Sequence, residues 1–128
     1  MKRFLLILAL LFSHSLAANE VEVVFVEFQK FGDAWRVHTT LKHDDTGWNH
    51  YADAWRVVSE SGKELGKRVL FHPHENEQPF TRSLNDLLVP EKQHIVYVEA
   101  HDKVHGWSKQ RVRVDLSRVK GERYRVSK

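Results

Sequence analysis

VYVEAHDKVHGWSKQRVRVDL, residues Val96–Leu116, decides what kind of fold this chain makes. Val96, Val98 and Ala100 recur at every second position, and so do Val112, Val114 and Leu116. Apolar residues two apart share one face of a strand, whereas a helix groups residues three and four apart. Between the two runs lies the polar stretch HDKVHG, followed by Trp107. The whole reads as two strands, Ile95–Ala100 and Ser108–Leu116, joined by a loop.

The same pattern extends back through the chain. Short runs rich in Val, Phe, Trp and Tyr are separated by Gly, Pro, Asn and Asp, the spacing of an all-β domain. Five further strands are predicted: Val21–Phe31, Ala34–Lys42, Tyr51–Ser59, Glu64–Phe71 and Phe80–Leu88. In the first, Val23, Phe25 and Phe31 are assigned to one face. In the second, Trp35, Val37, Thr39 and Leu41 point one way and Arg36, His38, Thr40 and Lys42 the other. Ser61-Gly62 supplies a tight turn, Pro79 precedes the fifth strand, and Pro90 breaks the chain after it. DAWRV occurs twice, at Asp33–Val37 and Asp53–Val57. Each copy is read as an inward Trp or Val beside a solvated Arg rather than as a repeat. The expected fold is a single seven-stranded antiparallel sandwich, with the basic segment 117–128 as a tail.

The hairpin quoted first resembles the last two strands of a fibronectin type III domain, where a V-x-V-x-A strand precedes a polar loop, an aromatic and a second alternating strand. That resemblance implies an immunoglobulin-like or fibronectin type III-like sandwich. The family's corner tyrosine would fall at His94, so that feature is missing. The chain is also similar to small uncharacterised exported bacterial proteins, a likeness that carries no activity.

Residues 1–17 read as a signal peptide. Lys2 and Arg3 precede the apolar run FLLILALLF (Phe4–Phe12), and Ser15-Leu16-Ala17 offers a small-x-small cleavage pattern. Nine apolar residues fall short of the roughly 20 that cross a bilayer, and no cysteine stands at the cleavage site for a lipid anchor. The prediction is a periplasmic or secreted protein whose domain occupies residues 18–116. Of the 20 Lys+Arg in the chain, 18 remain after cleavage against 17 Asp+Glu, a balance that disfavours nucleic acid. The absence of cysteine rules out thiol nucleophiles, blue-copper sites and Cys-based zinc sites.

Alternating strand direction puts the second, fourth and sixth connections at one end of the fold. Those connections are HDDTGWNHY, HPHENEQP and HDKVHGW, and they hold His43, His50, His72, His74, His101 and His105. Imidazole is a ligand for zinc and Cu(II), with carboxylates able to complete the sphere. A divalent-metal site formed by these six histidines is therefore the leading expectation. Asp44, Asp102 and Glu75 would be orienting partners. Parity sets one condition: His43 continues the inward row of Leu41, whereas His101 is out of phase with Val98 and Ala100. The alternative is a protein- or glycan-binding module that uses Trp48 and Trp107 on the same loops without a metal, its partner an envelope protein or glycan. Nothing resembles a nucleophile elbow or an HExxH helix, and catalysis is not the expected role.

Overall fold

The computed structural model describes residues 20–128; the predicted leader lies outside them. Among the described residues there is no helix. Nine strands run in order: β1 (Glu22–Phe31), β2 (Ala34–Lys42), β3 (Ala52–Ser59), β4 (Glu64–Val69), β5 (Phe80–Leu87), β6 (Ile95–Asp102), β7 (Gly106–Asp115), β8 (Lys120–Gly121) and β9 (Tyr124–Ser127). They form a five-stranded sheet, β5-β2-β1-β9-β8, and a four-stranded sheet, β4-β3-β6-β7. One core cluster draws on both sheets, with Phe28, Leu41 and Phe80 from the first and Trp55, Val57 and Val98 from the second. Alternation gives each sheet one apolar face, and the two sheets bury those faces in the shared cluster.

The described residues hold nine strands rather than seven, because the segment expected to be a tail adds two. Tyr124 and Val126, two residues apart, are buried among basic neighbours and extend the core cluster. β9 pairs with β1 in parallel, whereas all other neighbours are antiparallel.

The face assigned to β1 also differs from expectation. Val21 and Val23 are inward, then the register shifts between Val23 and Phe25, and Val26 and Phe28 are inward from there. An inserted residue at a bulge reverses the parity of everything after it. Phe25 and Phe31 are therefore exposed. Gln110 of β7 bonds the backbone at this bulge, accepting from Val23 N at 2.8 Å and donating to Val23 O at 3.0 Å.

The two copies of DAWRV place Trp35 on β2 and Trp55 on β3, in opposite sheets, and both rings are buried. β4 lies against β5 through Gly66, where a Cβ would stand 2.6 Å from Leu87 Cδ1 and 3.0 Å from Leu84 Cδ2. Gly66→Ala is expected to cost about 1–3 kcal/mol by overpacking, measured as a lower urea midpoint at unchanged slope.

Candidate metal centre

Two inward rows of the core run past their apolar residues at the same end of the molecule. On β2 the row Val37, Thr39, Leu41 continues beyond the strand to His43 and Asp45, both buried, while Asp44 between them is exposed. On β6 the row Val96, Val98, Ala100 continues to Asp102, whose side chain is 0% exposed. The three polar connections meet here. Lys103 N donates to Tyr51 O at 3.2 Å, and His43 N donates to Gln78 Oε1 at 3.0 Å. Gly47 (φ 114°) and Gly106 (φ 75°) give the β2–β3 and β6–β7 connections their left-handed residues, a backbone region that costs glycine least.

Asp45 ties the connections together. Its Oδ1 lies 2.5 Å from His43 Nδ1 and accepts from Ala52 N at 3.0 Å, and its Oδ2 accepts from His74 N at 2.8 Å. Burial pushes the Asp45 carboxyl up, but the His43 bond and the two backbone N–H groups outweigh it and hold the group below its ordinary 3.8. A carboxylate on His43 Nδ1 fixes the ring's orientation.

Asp102 receives two backbone donors on Oδ1, Val104 N at 2.9 Å and His105 N at 2.7 Å. His105 Nδ1 lies 3.1 Å from Oδ1 and 3.3 Å from Oδ2. Burial again pushes the carboxyl up, and the His105 and Val104 N–H groups bring it below the ordinary value. His50 stands at the centre, its ring 4.8 Å from that of His43 and 5.1 Å from that of His105. His50 Nε2 is 3.2 Å from Asp102 Oδ1, close enough for an ion pair, yet it is buried and aligned with no hydrogen-bond partner. Ligand atoms of His43, His50 and Asp102 all lie within 4.8 Å of one another. A zinc ion holds nitrogen at about 2.0–2.1 Å in tetrahedral geometry, so its ligand atoms stand about 3.3 Å apart; the three donors close on an ion with shifts of under about 1 Å.

The other histidines are placed elsewhere. His74 is buried, stacked on Phe80 at 4.1 Å, with Nε2 3.0 Å from Arg82 Nη2. A guanidinium only donates, so Nε2 must carry the lone pair and Nδ1 the proton. No lone pair remains on that ring for a metal. Burial, followed by the neighbouring Arg82 and His72, keeps the His74 imidazole below its ordinary pKa, in keeping with a neutral ring. His72 is exposed, 4.6 Å from His74 ring to ring. Together with Trp48, Pro73, Glu75 and Asn76, these two line an open depression.

His101 faces out from β6, 2.5 Å from Asp53 Oδ1. Trp107 stands on that same outer face, 4.9 Å from the His101 ring, with the Arg56 guanidinium 3.7 Å over it. Of the six expected histidines, His43, His50 and His105 come together with Asp102; His72, His74 and His101 do not join them. Asp44 is solvated, and Asp45 takes the orienting role expected of it. Two-residue parity from Leu41 was the signal that identifies Asp45 in the sequence.

No family model matches the chain. A protein of Halomicrobium mukohataei that bears the provisional name lipoprotein is 43% identical over 98 residues, 76% of this chain and 48% of that protein. The chain thus spans about half the length of that relative. The superoxide reductase (1Fe-SOR) from Giardia intestinalis superimposes with a TM-score of 0.47 at 20% identity, over 74% of this chain and 99% of that one.

Proposed function

We propose that this protein binds one divalent ion, Cu(II) or zinc, through His43, His50 and Asp102, with His105 as a further donor at the rim. The observation that carries the reading is His50 Nε2, a buried ring nitrogen without a hydrogen bond, set 3.2 Å from a fully buried carboxylate. Buried polar atoms in folded proteins are almost always satisfied, and a cation held against the Asp102 carboxylate would satisfy this one. The acidic partner of His43 completes the pattern of an oriented ligand. The donor set of two imidazoles and a carboxylate, with no sulfur, is one that zinc and Cu(II) accept.

In this reading the molecule works outside the cytoplasm, periplasmic or secreted, once residues 1–17 are removed. The relative's name, which is that of an envelope-type protein, is in keeping with export. No helix among the described residues is long and apolar enough to cross a membrane. The scaffold is an immunoglobulin-like sandwich of the fibronectin type III kind. Supporting this are β1, β2 and β5 in one sheet and β3, β6 and β7 in the other, with β4 beside β3.

Elemental analysis of untagged protein, followed by Cu(II) and Zn titration, is expected to show one ion per chain. His50→Ala is expected to weaken binding at least about 100-fold, since even loss of an orienting partner costs 10–100-fold. His101→Ala, and the double variant His72→Ala with His74→Ala, are expected to bind as the parent does. Uptake that survives His50→Ala, or that vanishes with His101→Ala, would sink the assignment.

The second reading is a binding module for an envelope protein or glycan. It is favoured by Trp48, 66% exposed and lining the depression with His72 and Glu75, and by Phe71, next to His72 in the chain and 76% exposed. Trp48, backed edge-on by Tyr51 at 5.8 Å, presents a large aromatic surface of the kind enriched at partner interfaces. Glycan-array binding that is lost in Trp48→Ala and indifferent to metal would select this reading over the first.

A further inference from the structure

The outer face of the five-stranded sheet carries a connected polar row far from the histidine end. His38, in the middle of β2, is in register with Glu27 of β1 on one side and Ser83 of β5 on the other. Ser83 Oγ lies 2.5 Å from His38 Nδ1, His38 Nε2 lies 2.9 Å from Gln29 Oε1, and Gln29 Nε2 donates to Glu27 Oε1 at 2.7 Å. Glu27 is held in turn by Arg125.

The donors in this row are fixed from the carboxylate end. An ionised Glu27 only accepts, so Gln29 must turn its NH2 toward it and its Oε1 toward His38. His38 Nε2 must then carry the ring proton, and Nδ1 holds the lone pair. Ser83 can satisfy that lone pair only by donating its hydroxyl proton. The neighbouring pairs Thr40–Thr81 and Arg36–Asn85, the latter with Arg36 Nε donating to Asn85 Oδ1, are ordinary cross-strand contacts that contain no base. At Ser83 the result is a hydroxyl on a base, with the base oriented by a third group, the arrangement that activates a nucleophile. Arg68 Nη1 donates to Ser83 O at 2.9 Å, and its Nε is buried without a partner.

We propose that Ser83 is an acyl-accepting nucleophile with His38 as its general base, acting on small carboxylic esters presented at this open face. Ser83 Oγ bonds the carbonyl carbon as its proton passes to His38 Nδ1. The bond from that carbon to the leaving oxygen breaks, and His38 returns the proton to the leaving alcohol. Water then attacks the acyl-serine, giving up a proton to His38, and the acid departs as Ser83 recovers its hydrogen. Gln29 is a positioning residue that holds the productive tautomer.

The probe is p-nitrophenyl acetate with the full chain. The expected result is release of p-nitrophenol with one acetyl group mapped to Ser83 by peptide mass spectrometry. The rate should fall about 100-fold in His38→Gln and to background in Ser83→Ala. Gln29→Leu should slow acetylation about tenfold, while the exchanged pair Glu27→Gln with Gln29→Glu, in which residue 29 still accepts from His38 Nε2 and residue 27 now donates to it, restores it; a purely structural role for Gln29 would not separate these two. The cysteine-free chain allows a second measurement. The lone thiol of Ser83→Cys should react with iodoacetamide about tenfold faster than the same thiol with His38→Gln, with circular dichroism reporting the fold of each variant. Acetyl spread over lysines, or equal thiol rates with and without His38, would overturn the proposal.

Discussion

Replacing Asp102 by alanine is expected to abolish stoichiometric metal uptake and to lower the stability of the metal-free protein by about 2–4 kcal/mol. The two effects have separate causes. Asp102 Oδ1 accepts the N–H groups of Val104 and His105 within the tight β6–β7 connection. Removing a buried acceptor leaves each donor unsatisfied at about 1–3 kcal/mol. The carboxylate is also the only acidic group among the three residues whose ligand atoms converge. Asp102→Asn separates the roles. An amide oxygen keeps an acceptor for both backbone donors, so the urea midpoint should stay near that of the parent, while the anionic ligand is gone and uptake should still fail. If Asp102→Asn binds the ion as the parent does, the carboxylate is not a ligand. If Asp102→Ala unfolds at the parent's urea concentration, the β6–β7 connection does not depend on it.

How much of this was legible beforehand depends on how local the signal is. Alternation marked β1 to β7, because a half-buried strand writes its two faces into the sequence at period two. The convergence of three polar connections was also accessible, since it follows from strand direction alone. Individual pointing was harder. His101 and Asp102 are adjacent, yet one faces out to Asp53 and the other into the core end; parity from Ala100 distinguishes them, and adjacency in a HDKVHG string does not. Asp44 and Asp45 repeat that lesson on β2. The bulge in β1 left no mark in composition, because Val24 and Phe25 suit either face equally well. His74 could not be judged from its own segment at all. Its unavailability to a metal depends on Arg82, eight residues on, which fixes the tautomer across the turn. The parallel β1–β9 pair joins residues about a hundred positions apart, beyond any local pattern.

Asp45→Ala is expected to be the most damaging change at the candidate centre outside the ligands. It withdraws the acceptor from Ala52 N and His74 N and the partner from His43 Nδ1 at once. At about 1–3 kcal/mol per stranded donor, the loss is about 3 kcal/mol or more, and metal affinity should drop 10–100-fold as His43 loses its orientation. The acid limb of stability tests the same wiring without metal. Asp45 and Asp102 have folded pKa values below the ordinary 3.8, so the unfolded chain takes up their protons first as pH falls. Their stabilisation is complete above 3.8 and disappears as pH drops through the lower folded values. His74, held neutral below its ordinary 6.5, adds an earlier decline, since only the unfolded chain protonates it as pH falls past 6.5. Urea midpoints of metal-free protein should therefore fall in two stages, a shallow one below pH 6.5 and a steeper one below 3.8. In Asp45→Asn the second stage should flatten, because one of its two buried carboxylates is gone, while Glu77 and Asp115, also held below their ordinary values, still contribute to it and the first stage persists with Arg82 still on His74. A second stage as steep as the parent's would mean that Asp45 does not hold the three connections in the way its contacts indicate.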